Sequence, residues 1–140
     1  CEEIHFPYEL SLTDLWTTFE ENREKLLELI NLLEQKYPGK RKGIFMPNDT
    51  HANVFLNLLI QKYGALPDTY QIIGFDNSPI SKEAVIPIST VGQQISVIAD
   101  EAMKVLSEQM NERKKRRPAP LREPVHKIIP PILIRRKTTI

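Results

Sequence analysis

Asn48, Asp49 and Asp76 each follow a short apolar run: GIFM (43–46) and Pro47 precede the first two, and YQIIGF (70–75) precedes the third. A carboxamide both donates and accepts hydrogen bonds, and a carboxylate accepts them with the help of its charge. Fixed at the ends of strands, such groups can hold a small polar ligand. Each also has a plainer use. Asn48 suits a turn before a helix, Asp49 suits a helix cap, and Asp76 suits a turn at a strand end.

Bond-making chemistry has no comparable set of residues. The chain shows neither a phosphate-binding loop nor a Gly-x-Ser-x-Gly elbow. Cys1 is the single cysteine, so an internal disulfide or a cysteine-based metal site is excluded. His5, His51 and His126 are too scattered to suggest a metal site. Neither an enzyme nor a cofactor is therefore expected.

Bulk properties narrow the classes further. Nineteen Lys and Arg against 18 Asp and Glu give a formal charge of +1, which offers no general attraction to nucleic acid. No apolar run approaches the ~20 residues needed to span a bilayer. The opening CEEIHFPYEL is acidic and unlike a signal or transit peptide. A single domain of 140 residues buries roughly 68% of its unfolded surface, enough for a core.

Around these polar residues the chain divides into strand and helix candidates. Residues 2–8 suggest a short strand entering a loop. Residues 11–37 suggest a long helix, with Ser11 or Thr13 as cap and Asp14 in the first turn. Leu12, Leu15, Trp16, Phe19, Leu26, Ile30, Leu33 and Tyr37 recur there at helical steps, and Pro38-Gly39 stops the run. Residues 43–46 read as a buried strand. Residues 51–63 read as a helix capped by Asp49 or Thr50 and closed by Gly64. Phe55, Leu56, Leu58, Leu59 and Ile60 spread over more than one face of that helix. It therefore needs a sheet plus either another helix or another subunit.

Residues 70–75 read as a strand. Residues 77–90 are rich in breakers and read as loop, with room for one short strand. Residues 93–113 form a third helix with a stripe of Ile95, Ile98, Ala99, Ala102, Leu106 and Met110. Residues 113–124 are a charged, proline-rich linker whose basic start suits a solvated helix end better than an import signal or phosphate patch. VHKII (125–129), with a structural His126, and ILIRR (132–136) are strand candidates. Strands alternating with helices imply an α/β fold with a mainly parallel sheet, and such sheets bind ligands at the carboxyl ends of their strands.

From Gly43 onward the ordered motifs resemble the second half of the effector domain of the lactose/galactose-repressor (LacI/GalR) family. The resemblance runs through Asn48-Asp49, Ala52, Pro67-Asp68, Gly74-Phe75-Asp76, Pro87, Ser89-Thr90-Val91, Gln93, a long helix and ILIRRKTT. It implies a partial periplasmic-binding-protein-like, Rossmann-like lobe. Residues 1–90 would be the second-lobe portion, 91–120 the crossover helix and linker normally of the first lobe, and 121–140 the terminal strands. In this family two lobes close over a small molecule, often a sugar, and a separate N-terminal head binds DNA.

The resemblance assigns effector contacts to Asn48, Asp76 and Gln93, and an aromatic packing role to Tyr8. It also places a dimer contact at Phe55, Leu56 and Leu59. It implies a cytoplasmic, sugar-responsive regulator, most simply a repressor, that touches DNA only through a head outside this chain. A transport-type sugar-binding protein of the same fold is the competing reading. Because the sheet that hosts helix 93–113 in the family is absent from this stretch, its stripe is expected to pack on another copy, as a homodimer that could exchange segments, or to fold onto the remaining sheet.

Overall fold

The computed structural model describes residues 19–115 and 124–139. Eight elements follow in order: α1 (Phe19–Lys36), β1 (Lys42–Phe45), α2 (Asp49–Tyr63), β2 (Tyr70–Phe75), α3 (Pro79–Glu83), β3 (Ser89–Gly92), α4 (Ile95–Arg113) and β4 (Ile132–Ile134). The strands form one sheet in the order β1-β2-β3-β4. The β1–β2 and β2–β3 pairs are parallel, with Ile44 opposite Ile72 and Ile73 opposite Ser89; β4 runs antiparallel to β3, with Val91 opposite Leu133. The chain is thus a mixed α/β lobe with a mainly parallel sheet, as the alternation of elements implies.

The core lies between α2 and the sheet. Tyr70, Ile72 and Gly74 alternate onto the face of β2 that α2 covers. Phe55, Leu56 and Leu59 are fully buried there, alongside Ile72 and Ile88. Each such side chain contributes roughly 1.5–3 kcal/mol by leaving water. α1 packs across α2 through Ile30, with Leu26, Leu29 and Leu33 partly buried around it, and α3 touches α2 as well. The helix with too many apolar faces thus finds a sheet and two further helices within its own chain. Phe55, Leu56 and Leu59, expected at a dimer contact, are thus covered within the chain itself.

Helix ends follow local chemistry. Gly64 closes α2 in the left-handed region (φ 80) and its N–H donates to the Ile60 carbonyl at 2.8 Å. The stretch 77–90 holds more structure than its breakers suggest. Pro79 occupies the first turn of α3, where its missing N–H costs nothing, and β3 forms directly after Ile88.

One expectation for the later residues fails, and one of the two alternatives for α4 drops out. VHKII is not a strand: residues 124–131 are irregular and exposed apart from Ile129, tied to α4 by the Lys127–Glu101 ion pair and by Gln94 Nε2 donating to the Pro130 carbonyl. The edge of β3 is taken by β4, which leaves VHKII no pairing partner there. Nor does α4 fold onto the sheet. None of its residues is buried, and Ile95, Ile98, Leu106 and Met110 stay exposed. The strand 2–8, the start of the first helix with Trp16, and the linker at 116–123 lie outside the described residues.

Beyond β4 the chain returns to the centre of the sheet. Thr138, 2% exposed, sits where β2 and β3 part. Its hydroxyl donates to the Ile72 carbonyl (2.7 Å) and accepts from the Ser89 N–H (2.9 Å), while its carbonyl accepts from the Ile72 N–H (3.0 Å).

Candidate functional site

Because β1, β2 and β3 are parallel, the segments that leave them emerge at one end of the sheet. Met46-Pro47-Asn48 follows β1, Asp76 follows β2, and Gln93 follows β3. Three of the four expected contact residues therefore lie along one edge. Gln93 and Asp76 are brought together, the Gln93 Nε2 donating to Asp76 Oδ1 at 3.4 Å. Asp76 is exposed, so its carboxylate faces solvent at that edge. Tyr8 lies outside the described residues.

Asn48 does not reach Asp76 by a hydrogen bond; it serves its own helix. It is the N-cap of α2, with extended backbone, and its Oδ1 accepts the His51 backbone N–H at 2.9 Å. The same oxygen lies 2.8 Å from His51 Nδ1. An amide oxygen only accepts, so the ring proton sits on Nδ1. The amide NH₂ of Asn48 is the part the cap does not use.

Asp49 is not the cap, contrary to expectation. It is the first residue of α2 and 1% exposed. Its Oδ2 accepts both the Ser78 N–H (2.7 Å) and the Ser78 hydroxyl (3.0 Å). The negative charge suits a helix N-terminus. Its other oxygen has no hydrogen-bond partner and rests against Gly74, where an added Cβ would come within 2.2 Å. Gly74 and Ala52 are small because the helix start presses on the strand here.

The turn after β2 has an unusual backbone. Asp76 (φ 95) and Asn77 (φ 51) are the two non-glycine residues with positive φ among those described. Such conformations cost of order 1–3 kcal/mol each and persist where surroundings hold them. The Asp76 N–H donates to the Val91 carbonyl at 2.9 Å, and the Asn77 N–H to Thr90 Oγ1 at 3.3 Å. Asn77 Oδ1 accepts from Arg136 Nη2 at 2.7 Å. Asn77, Ser78 and Arg136 were not among the residues singled out from the sequence. An Asp-Asn pair leaving a strand was the available signal, since these two types tolerate the left-handed region best.

At the opposite end of the sheet, where β1 and β2 begin, two groups have perturbed titration. There the Tyr70 hydroxyl donates to Glu34 at 2.6 Å, and the buried Lys42 ammonium lies 3.1 Å from the same carboxylate. The Tyr70 hydrogen bond, outweighing partial desolvation and helped by Lys42, holds the Glu34 carboxyl below its usual range. Burial, and then Glu34 itself, push the Tyr70 phenol far up. Each member has its partner, so the trio reads as a clasp of α1 onto the sheet.

A groove of about 290 Å³ runs along the outer face of α2, lined by residues that include Arg23, Thr50, Asn53, Asn57 and Gln61, and it contains none of the expected contact residues. Among the described residues, no three His, Cys, Asp or Glu gather as a metal site, and no helix is long and apolar enough to cross a membrane.

Comparison with known proteins follows the same lines. The model of the periplasmic binding protein-like domain family matches residues 5–139. No curated protein matches the chain. Among solved structures, a LacI family transcriptional regulator from Silicibacter pomeroyi aligns at TM-score 0.63 and 25% identity, over 84% of this chain and 38% of that one. A LacI family transcriptional regulator from Lactobacillus casei with bound sucrose aligns at 0.62 and 20% identity, over 88% and 41%. The lac repressor dimer bound to operator and an anti-inducer aligns at 0.60 and 17% identity, over 84% and 37%. The chain thus spans about two fifths of the length of these structures.

Proposed function

Because the chain belongs to the periplasmic binding protein-like domain family, we propose that it is the effector-binding and dimerisation portion of a sugar-responsive transcriptional repressor of the LacI/GalR kind. In this reading Asn48, Asp76 and Gln93 exchange hydrogen bonds with sugar hydroxyls, and Tyr8 packs against the sugar. Effector binding shifts the geometry of the lobes and, through it, the DNA affinity of the regulator, which acts in the cytoplasm, catalyses no reaction and meets DNA through an N-terminal head. The regulator works as a homodimer. The exposed apolar stripe of α4, rather than Phe55, Leu56 and Leu59, is the surface for that contact.

One observation carries the reading. Polar side chains follow three adjacent parallel strands at their carboxyl ends, and the exposed Asp76 carboxylate and the Gln93 amide are already within bonding distance. A carboxylate beside a carboxamide suits a hydroxyl, which donates to one and accepts from the other. The structures that resemble the chain, one of them with bound sucrose, support the same choice.

The test is titration of the ¹⁵N-labelled chain with sucrose, glucose and a wider sugar panel. At least one sugar is expected to shift the Asn48, Asp76 and Gln93 resonances saturably. Asp76→Asn removes a charge-assisted bond of about 1.5–3 kcal/mol and weakens that binding roughly 10- to 100-fold. Asn48→Asp keeps the cap but loses the amide donors, so it weakens binding while leaving stability within about 0.5 kcal/mol. Failure of every sugar to shift these resonances sinks the reading.

A further inference from the structure

We infer that Arg136 is a positioning residue of the candidate site: its guanidinium holds Asn77 and so sets the backbone turn that presents the Asp76 carboxylate. Calling that carboxylate an effector contact rests on the function proposed above; the positioning itself does not.

Asp76 and Asn77 adopt two successive left-handed conformations, which neither side chain favours unaided. The turn must be held from outside, and its flanks show how. On one side Asp49 Oδ2 takes the N–H and hydroxyl of Ser78. On the other, Arg136 Nη2 donates to Asn77 Oδ1 at 2.7 Å, much shorter than the 3.3 Å bond from the Asn77 N–H to Thr90.

Arg136 is itself firmly seated. Its Nη1 donates to the Ile88 carbonyl (2.8 Å) and to Ser81 Oγ (3.2 Å), and its backbone N–H donates to Ser89 Oγ (2.7 Å). Ser81, Ile88 and Ser89 are all fully buried, so the guanidinium is referenced to the core. Its three side-chain acceptors are uncharged. The contact is therefore a fork that spans two nitrogens rather than an ion pair. Lysine keeps the charge but offers one nitrogen in place of the two that reach Ile88 and Asn77 separately. The link joins residues 59 apart in sequence, from the segment after β4 to the loop after β2.

The test reads backbone conformation directly. A positive φ gives a strong intraresidue NOE between the amide and α protons, so Asp76 and Asn77 report on the turn in the labelled chain. In Arg136→Lys both NOEs are expected to weaken to the level of extended residues, while the α2 amide resonances keep their positions. Asn77→Ala removes the acceptor together with the residue's own tolerance of the left-handed region and is expected to lose the Asp76 NOE, whereas Asn77→Asp keeps both and retains it. This pair also serves should Arg136→Lys fail to fold. Sugar affinity should fall about tenfold in Arg136→Lys and return toward wild type when an acceptor and fork are both present. Full-strength NOEs at Asp76 in folded Arg136→Lys, or in Asn77→Ala, overturn the inference. A wild-type chain that binds no sugar overturns the functional reading instead, and the NOEs still decide the role of Arg136.

Discussion

α2 and α4 are helices of 15 and 19 residues, and both carry apolar residues at helical spacing. α2 buries six residues, while α4 buries none and leaves Ile95 at 67% and Met103 at 60% exposure. The difference lies in their neighbours. α2 rests on β2 and is flanked by α1 and α3, whereas α4 is tied down mainly by an ion pair and a side-chain hydrogen bond to residues 127 and 130. A stripe shows that a helix has something to bury, and only a host surface decides whether it does. Stability in this chain is therefore concentrated around α2, and α4 contributes little to it.

The sharpest way to break this contrast is a matched pair of truncations. Leu59→Ala, in the core, is expected to cost about 2–5 kcal/mol in urea denaturation. Leu106→Ala, on α4, should change the stability of the dissociated, monomeric chain by less than about 0.5 kcal/mol. Similar losses at both sites, measured at concentrations where the chain is monomeric, would show that α4 packs onto its own chain. Sedimentation of the two variants extends the test, since the proposed dimer should weaken with Leu106→Ala and persist with Leu59→Ala.

A smaller effect is expected at the seat of α2. Gly74→Ala would set a Cβ 2.2 Å from Asp49 Oδ1 and 3.1 Å from Asp49 Cα. The helix start must shift, at a cost of about 1–3 kcal/mol, and the Ser78 amide should exchange faster as its carboxylate moves away. An unchanged denaturation midpoint would mean that α2 does not press on β2 as described.

The mildest effect concerns α1, which is held by Ile30 and by the Glu34 clasp. The Glu34 pKa is lower in the folded chain than unfolded, so its contribution is complete above the usual carboxylate range and disappears as pH falls through the folded value. Acid titration of stability should accordingly be shallower in Glu34→Gln than in the wild type. Because Glu34 is about a third exposed, the difference will be modest. Parallel acid profiles for the two proteins would remove Glu34 from the clasp.

β1 and β2 and the polar residues that follow them were legible because their signals are local: apolar runs of a few residues closed by Pro, Asn or Asp. What stayed hidden depends on distant partners. Asn48, Asp49 and Thr50 are all good caps, and the choice among them is explained by Ser78, which occupies Asp49 from 29 residues away. VHKII has strand-like residues, yet β4 already borders β3. Pro79 looked like a breaker and instead opens α3. Arg136 looked like one more basic residue at a strand end, because nothing nearby in sequence names Asn77 as its partner.

Thr138 has a consequence for the order in which the fold can assemble. β1, α2 and β2 form a local unit whose contacts close over short stretches of chain. The amino end of the β2–β3 seam, by contrast, where the strands part, takes its bonds from a residue 66 positions beyond Ile72 and 49 beyond Ser89. Closing loops of that length costs entropy before any bond is gained, so the seam should be among the last features to form. The turn that carries Asp76 waits on the same returning segment, through the Arg136–Asn77 bond between residues 59 apart. The candidate site therefore reaches its working shape only at the end of folding, after the helices beside it are in place.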